Sequence, residues 1–316
     1  EELKSKGISL EESKIVHAPL PVPVPIPKNE EEQTKEKESA DDELGNLNNN
    51  QKTIPLVEQT TERDEPVPYV STVIDSVAGI SGGGTPPDTH GAVGPNHLLA
   101  ITNGSVKITP RNGGAVTTVS LNSFFSGLPI TSGYFDPKAI FDPLTNRFMV
   151  VGLTSFRTGN SGVAIAVSTT SDAISWHKWF FDYDSTNAYW ADYPYIGTSS
   201  NKIVISINRF AVANDQFDGI ELFIFDKTNA INGGTMNATT ASRLKLTGSS
   251  WGGSHSIALN YDSDVANVYA VRKGTNNAFG FGRLQAYVLT GSVQSPTYTT
   301  IPSQTLGQPW SISIPD

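Results

Sequence analysis

The sequence predicts an all-β fold, a β-propeller of four-stranded antiparallel blades preceded by a disordered N-terminal tail. Three observations lead there: the texture of the chain changes near residue 67, the body consists of short apolar runs between turn residues, and those runs recur in sets of four. Propeller blades are four-stranded units of this kind, spaced roughly 40 to 50 residues apart.

Residues 1–66 contain no Phe, Trp or Tyr, the first aromatic being Tyr69. They carry a charge run ("NEEEQTKEKESADDE"), a proline run ("PLPVPVPIP") and an asparagine cluster ("NLNNN"). Such a stretch holds too little apolar area to offset chain entropy, so residues 1–66 are expected to form a disordered, acidic, proline-containing spacer with a polyproline piece. The chain opens on Glu1 without a charged-then-apolar leader, as expected of a processed or excised form.

Past Tyr69 a short strand with a Gly- or Asp-rich turn leads four times into a second apolar strand: "THGAVGPNHLLAITN", "PKAIFDPLTNRFMVVGLT", "YPYIGTSSNKIVISIN" and "HSIALNYDSDVANVYAVR". Third strands follow ("SVKITP", "GVAIAVSTT", "GIELFIFD", "GRLQAYVL"), then fourth strands ("AVTTVSL", "WHKWFFD", "SRLKLTG", "TYTTIP"). Anchored on Gly91, Ala139, Tyr195 and Ser256, the units step by 48, 56 and 61 residues. "GQPWSISIPD" then reads as the first strand of a fifth unit. Residues 67–316 are therefore expected to be a propeller, with an incomplete ring.

Charge narrows the function. The chain has 31 acids and 22 bases, of which residues 1–66 hold 16 and 8, leaving the body 15 and 14. A nearly neutral body has no basic stripe to neutralise phosphates, which disfavours nucleic acid. No run approaches the ~20 apolar residues that span a bilayer. With no cysteine, disulfides, zinc–thiolate sites and thiol nucleophiles are excluded. His90, His97 and His255 lack zinc-ligand spacing, and no P-loop occurs.

"AVSTTSDAISWHKWFF", residues 166–181, resembles a degenerate Asp-box of the sialidase-like propeller superfamily: Ser171, Asp172 and Trp176 fill its positions, without the usual Gly between Asp and Trp. The resemblance implies a structural hairpin between the third and fourth strands of a blade, away from the catalytic face. "PPDTHGAVGPNH", "FDPLTNRFMVV" and "WADYPYIG" are similar to secreted bacterial propeller proteins, many of them parts of longer cell-surface chains. That similarity implies an extracellular location.

In a propeller the loops entering the first strands and those leaving the second strands share one mouth. Asp88, His90, Asp136, Asp192 and His255 enter first strands, and Arg157, Arg209 and Arg272 leave second strands of units two to four. Three converging arginine forks suit a carboxylate or sulfate. In sialidases an arginine triad grips the substrate carboxylate, an Asp is acid/base and a Tyr–Glu pair is the nucleophile; the resemblance carries over only the arginines and a choice of Asp. Glu221, the sole Glu after Glu65, lies in a third strand and suits neither nucleophilic role.

Plainer readings stand beside these. The arginines are placed to pair with loop acids, Asp215 and Asp218 being candidates, and an Asp before a strand commonly accepts turn N–H groups. Asp182 and Asp184 in "DYDSTN", and Asp262 and Asp264 in "NYDSDVAN", offer oxygens for a structural Ca²⁺ without EF-hand spacing. Tyr189 and Trp190 read as loop aromatics placed to stack on sugar rings. The expectation is a secreted or surface propeller that recognises a glycan or a surface protein; the alternatives are a sialidase-like glycoside hydrolase and a structural repeat with assembly partners.

Overall fold

The computed structural model describes residues 24–25, 78–82, 84–248, 251–273 and 283–305. All of these except Ala78 belong to the unit formed by Glu1–Pro25 and Gly79–Asp316. Apart from Val24–Pro25 (β1), the expected spacer at residues 1–66 lies outside the described residues.

The fold is a β-propeller with four antiparallel four-stranded sheets, each ordered as its strands follow in the chain. The first blade comprises β2 His90–Val93, β3 His97–Ile101, β4 Ser105–Pro110 and β5 Thr117–Ser120. The second comprises β6 Tyr134–Asp142, β7 Arg147–Thr154, β8 Gly162–Ser168 and β9 Trp176–Asp182. The third comprises β10 Tyr189–Thr198, β11 Lys202–Ala211, β12 Phe217–Asp226 and β13 Ala241–Thr247, with β1 parallel to its outer edge at Leu244 and Lys245. The fourth comprises β14 Ser256–Ile257, β15 Val268–Lys273, β16 Arg283–Gly291 and β17 Pro296–Thr305. Two short helices, α1 Leu121–Phe124 and α2 Lys227–Ile231, start on Ser120 and Asp226, whose side chains accept the N–H of Ser123 and Asn229.

Side-chain alternation sets the layering. Along β7, Phe148 and Val150 enter a core shared with Leu99, Ile101, Val106 and Ile108 of the first blade. Met149, Val151 and Leu153 enter a second core with Ile203, Ile205, Phe223 and Phe225 of the third. Period-two burial on both faces is what a strand sandwiched between sheets requires, each large apolar side chain contributing about 1.5–3 kcal/mol. β11 and β12 are likewise buried nearly throughout.

The outer blades differ. In the first, Leu99, Ile101, Val106 and Val119 are buried, while Leu98, Ala100 and Thr118 on the other face are half-buried or exposed. In the fourth, Val268, Ala270, Tyr287, Leu289 and Tyr298 are buried, while Tyr269 and Val271 face outward. The first strands lie in a row: β6 packs on β2 and β3, β10 on β6 and β7, and β14 on β10 and β11.

Candidate functional site

The repeat has a backbone signature where each first strand begins. Asp88, Asp136, Tyr193 and Ser254 have φ of 44°, 46°, 53° and 59°, in the left-handed region that non-glycine residues seldom occupy. They stand 48, 57 and 61 residues apart, which corrects the sequence alignment by one position in the third and fourth blades. β-Bulges at Asp136–Pro137 and Tyr193–Pro194 show why: the ladders slip between Phe135 and Lys138 and between Asp192 and Tyr195. Tyr193 therefore occupies the place of Asp88 and Asp136, and Asp192 precedes it. His255 follows Ser254 and matches Thr89, not His90.

Each of the last three of these residues is latched to the preceding blade through its backbone N–H. Asp136 donates to Asn103 Oδ1 at 2.7 Å, Tyr193 to Asp136 Oδ2 at 3.2 Å, and Ser254 to Asn208 Oδ1 at 2.7 Å. The middle latch is the titratable one.

It also brings three carboxyls together. The Asp136 side chain hydrogen-bonds both Asp88 and Asp192. Burial, those bonds and the neighbouring charges push Asp136 up to about 7, so near neutrality it is partly protonated, its one O–H donating to one neighbouring carboxylate at a time. Burial also raises Asp192, opposed by the bond to Asp136, the Tyr193 N–H and the Arg157 charge. Asn103 Nδ2 donates to Asp88 Oδ2 at 2.5 Å and to the Pro86 carbonyl at 3.0 Å, so one amide positions Asp88 and, through the backbone, Asp136. The Tyr193 ring is 48% exposed, with Lys138 Nζ 5.7 Å and the Tyr195 ring 5.9 Å from its centroid. Phe156, 51% exposed, packs edge-on against Phe135 and Trp190. The three carboxyls thus have the exposed Tyr193 side chain beside them.

The arginines have separate partners. Arg157 Nη2 pairs with Asp215 Oδ2 at 2.8 Å near the surface. Arg209 is buried, with Nε 2.7 Å from Asp218 Oδ2, Nη1 3.8 Å from Glu221 Oε2 and its guanidinium 3.3 Å over the Tyr189 ring. Arg272 Nε donates to Tyr287 Oη at 2.7 Å. Asp215 and Asp218 are the partners that sequence proximity singled out. A shared anion fork is not what these contacts form.

The remaining predicted residues are mostly framework. His90 Nδ1 accepts the Ala139 N–H at 3.1 Å, tying the first blade to the second. His255 is fully buried, its ring nitrogens 2.8 Å from Tyr298 Oη and 2.9 Å from the Trp251 carbonyl, and burial lowers it to about 4. Tyr189 and Trp190 lie in β10, not in a loop. Trp190 is buried, stacks on Phe210 and donates Nε1 to Asp215 Oδ1 at 3.0 Å, so the exposed aromatics here are Tyr193 and Phe156.

For the calcium expectation, Asp182 is exposed at the end of β9. Asp184 accepts from Thr186 Oγ1 and the N–H groups of Ala188 and Tyr189, which fixes its loop and holds the carboxyl below its usual range against the cost of burial. Asp262 Oδ1 accepts the Asp264 N–H at 2.8 Å, an ordinary Asx turn. Among the described residues, no group of three or more His, Asp or Glu side chains is disposed to hold a metal ion.

One cluster escaped sequence reasoning. Glu221 is fully buried, with Oε1 2.6 Å from Arg243, and the buried Tyr183 hydroxyl lies beside it; burial and the Glu221 charge raise Tyr183 well above its usual value. A Tyr–Glu pair therefore exists, sealed among the outer strands of the third blade. Its members are far apart in sequence and on different blades, so no local spacing announced it.

No family model matches the chain, and no curated protein matches it. Among solved structures it is similar to the catalytic domain of a Coprinopsis cinerea GH62 α-L-arabinofuranosidase, at 10% identity, 73% of each chain and a TM-score of 0.39. It is similar to a subtype N11 neuraminidase-like protein of A/flat-faced bat/Peru/033/2010 (H18N11), at 13% identity, 69% of this chain, 58% of that one and a TM-score of 0.38. A GH43 endo-arabinanase from Bacillus licheniformis is similar at 14% identity, 70% of this chain, 79% of that one and a TM-score of 0.37. Residues 169–175 form the turn between β8 and β9, with Trp176 buried and Ala173 at φ 55°.

Proposed function

We propose that the mouth of this propeller binds a neutral glycan and hydrolyses a glycosidic bond. The observation that carries the reading is the hydrogen-bonded run of carboxyls Asp88, Asp136 and Asp192 where successive first strands begin. Glycosidases divide acid and base work between two carboxyls standing roughly 5–9.5 Å apart, with room for a sugar carbon or a water. Asp136 touches both neighbours, so the pair that straddles the bond is Asp88 and Asp192. Asp136 relays its proton through Asp192, held above the ordinary carboxylate range, to the leaving oxygen as the C–O bond breaks. Water adds to the anomeric carbon and loses its proton to Asp88, which returns it to Asp136.

Substrate charge follows from the same groups. Three carboxyls at the mouth, with Arg157 and Arg209 engaged by their own acids and Arg272 by the Tyr287 hydroxyl, oppose a carboxylated sugar such as sialic acid. Tyr193 and Phe156 offer apolar faces to a sugar ring. Placement outside the cell is part of the proposal, since polymeric glycans are met there.

A second reading, recognition of a glycan or surface protein without turnover, is favoured by the latch between Asp136 and Tyr193, which gives that carboxyl a structural task. Incubation with arabinan and other neutral polysaccharides, with sialosides as the charged control, tests the first reading. Product release lost in Asp192→Asn supports it; glycan-array binding without any turnover supports the second.

A further inference from the structure

We propose that the outward face of the fourth blade is a docking face for this chain's own residues 310–314, which add there as a further inner strand. The face is defined by cross-strand pairs: Val271 opposite Ala286, Ala286 opposite Ile301, and Tyr269 opposite Val288. Tyr269 and Val271 are each 44% exposed, and Ala286, Val288 and Ile301 are half-buried. The second and third blades leave no comparable face open, because each is covered by the first strand of the blade that follows.

The covering rule is visible three times. β6 packs on β2 and β3, β10 on β6 and β7, and β14 on β10 and β11. A strand obeying it after the fourth blade packs on β14 and β15, and β15 carries Tyr269 and Val271. The occupant is argued from where β17 stops, at Thr305 on the outer edge of the blade. Returning to the inner edge means crossing three strand spacings, about 14 Å. Five residues, from Thr305 to Trp310, reach about 17 Å. What then follows, "WSISI", alternates apolar and polar: Trp310, Ile312 and Ile314 share one face and Ser311 and Ser313 the other. Trp310, Ile312 and Ile314 cover Tyr269 and Val271, and the serines face away.

The cysteine-free chain makes the test direct. In the full-length protein, Val271→Cys is combined in turn with Trp310→Cys, Ile312→Cys, Ile314→Cys, Ser311→Cys and Ser313→Cys, oxidised, and read by non-reducing electrophoresis and mass spectrometry. The expected result is an intramolecular disulfide with at least one member of the 310/312/314 set and at least tenfold less with 311 or 313. Since Val271 faces outward, Val271→Cys is not expected to impair folding, and near-UV circular dichroism checks this. Absence of every crosslink in folded protein overturns the proposal, as does equal crosslinking by both sets. Disulfide-linked dimers of the Val271→Cys single variant would also overturn it, giving the face to a second copy.

Discussion

The backbone N–H of Tyr193 donates to Asp136 Oδ2 at 3.2 Å, so the first strand of the third blade is fastened to a carboxyl at the start of the second. The two flanking joints use the neutral amides Asn103 and Asn208 for the same bond. This fold has thus placed a titratable group where two other joints use a neutral one, and that group sits beside the carboxyls Asp88 and Asp192.

Its protonation gives stability a pH dependence. Asp136 titrates near 7 when folded against about 3.9 when unfolded, so between those values the folded state binds the extra proton. The contribution is full below about 3.9 and is lost as pH rises through about 7. Asp136→Asn keeps an acceptor for Tyr193 and removes the titration. Its melting temperature relative to wild type is therefore expected to rise between pH 5 and pH 8, as thermal unfolding across that range will show.

His255 works in the opposite direction. Buried and lowered to about 4 against about 6.5 unfolded, it contributes stability that is present above 6.5 and is lost as pH falls through about 4. His255→Leu leaves the Tyr298 hydroxyl and the Trp251 carbonyl without their partner, at a cost of about 1–3 kcal/mol at pH 7. In urea unfolding the gap to wild type narrows at pH 4.5.

Glu221 and Arg157 separate buried from exposed ion pairing. Glu221→Ala strands Arg243 and the buried Arg209 beside it, an expected loss of about 3–5 kcal/mol. Arg157→Ala removes a solvent-screened pair with Asp215 and costs at most about 1 kcal/mol. Chemical denaturation of the two variants ranks them in that order.

Trp190 and Tyr193 separate framework from binding surface. Trp190→Ala empties a buried site stacked on Phe210 and breaks the bond to Asp215, costing about 3–5 kcal/mol. Tyr193→Ala removes an exposed ring and is expected to weaken glycan binding at least tenfold with a melting temperature within a few degrees of wild type, read by isothermal titration alongside calorimetric melting.

Much of the blade pattern was legible because alternation and turn residues report strands directly: "RFMVVGLT" buries both faces, and the structure sandwiches it as β7. The third blade's register was not legible. Bulges at Asp136–Pro137 and Tyr193–Pro194 mark the equivalent positions, and Asp192 offers the same side chain as Asp88 and Asp136 from one position earlier. Asp88, Asp136 and Asp192 stand in the sequence with His90 and His255 as residues entering first strands, because the repeat shows where those strands begin. That they share a proton depends on side-chain directions, which sequence does not specify. The plainer reading of the arginines is the one the structure carries, Arg157 pairing with Asp215 and Arg209 with Asp218, whereas Glu221 on the next strand is a partner that sequence proximity does not single out. Trp190 misled because an Asp- and Asn-rich approach made the start of β10 look like loop.

The central claim is that the Asp88–Asp136–Asp192 mouth acts on neutral glycans. The most direct measurement is product release from a panel of neutral polysaccharides by wild type and by Asp192→Asn, with folding of both verified by thermal melting. The account predicts turnover by wild type and a loss of at least a hundredfold in the variant. Turnover unchanged in Asp192→Asn, or neither turnover nor binding by wild type on any neutral glycan, would contradict it.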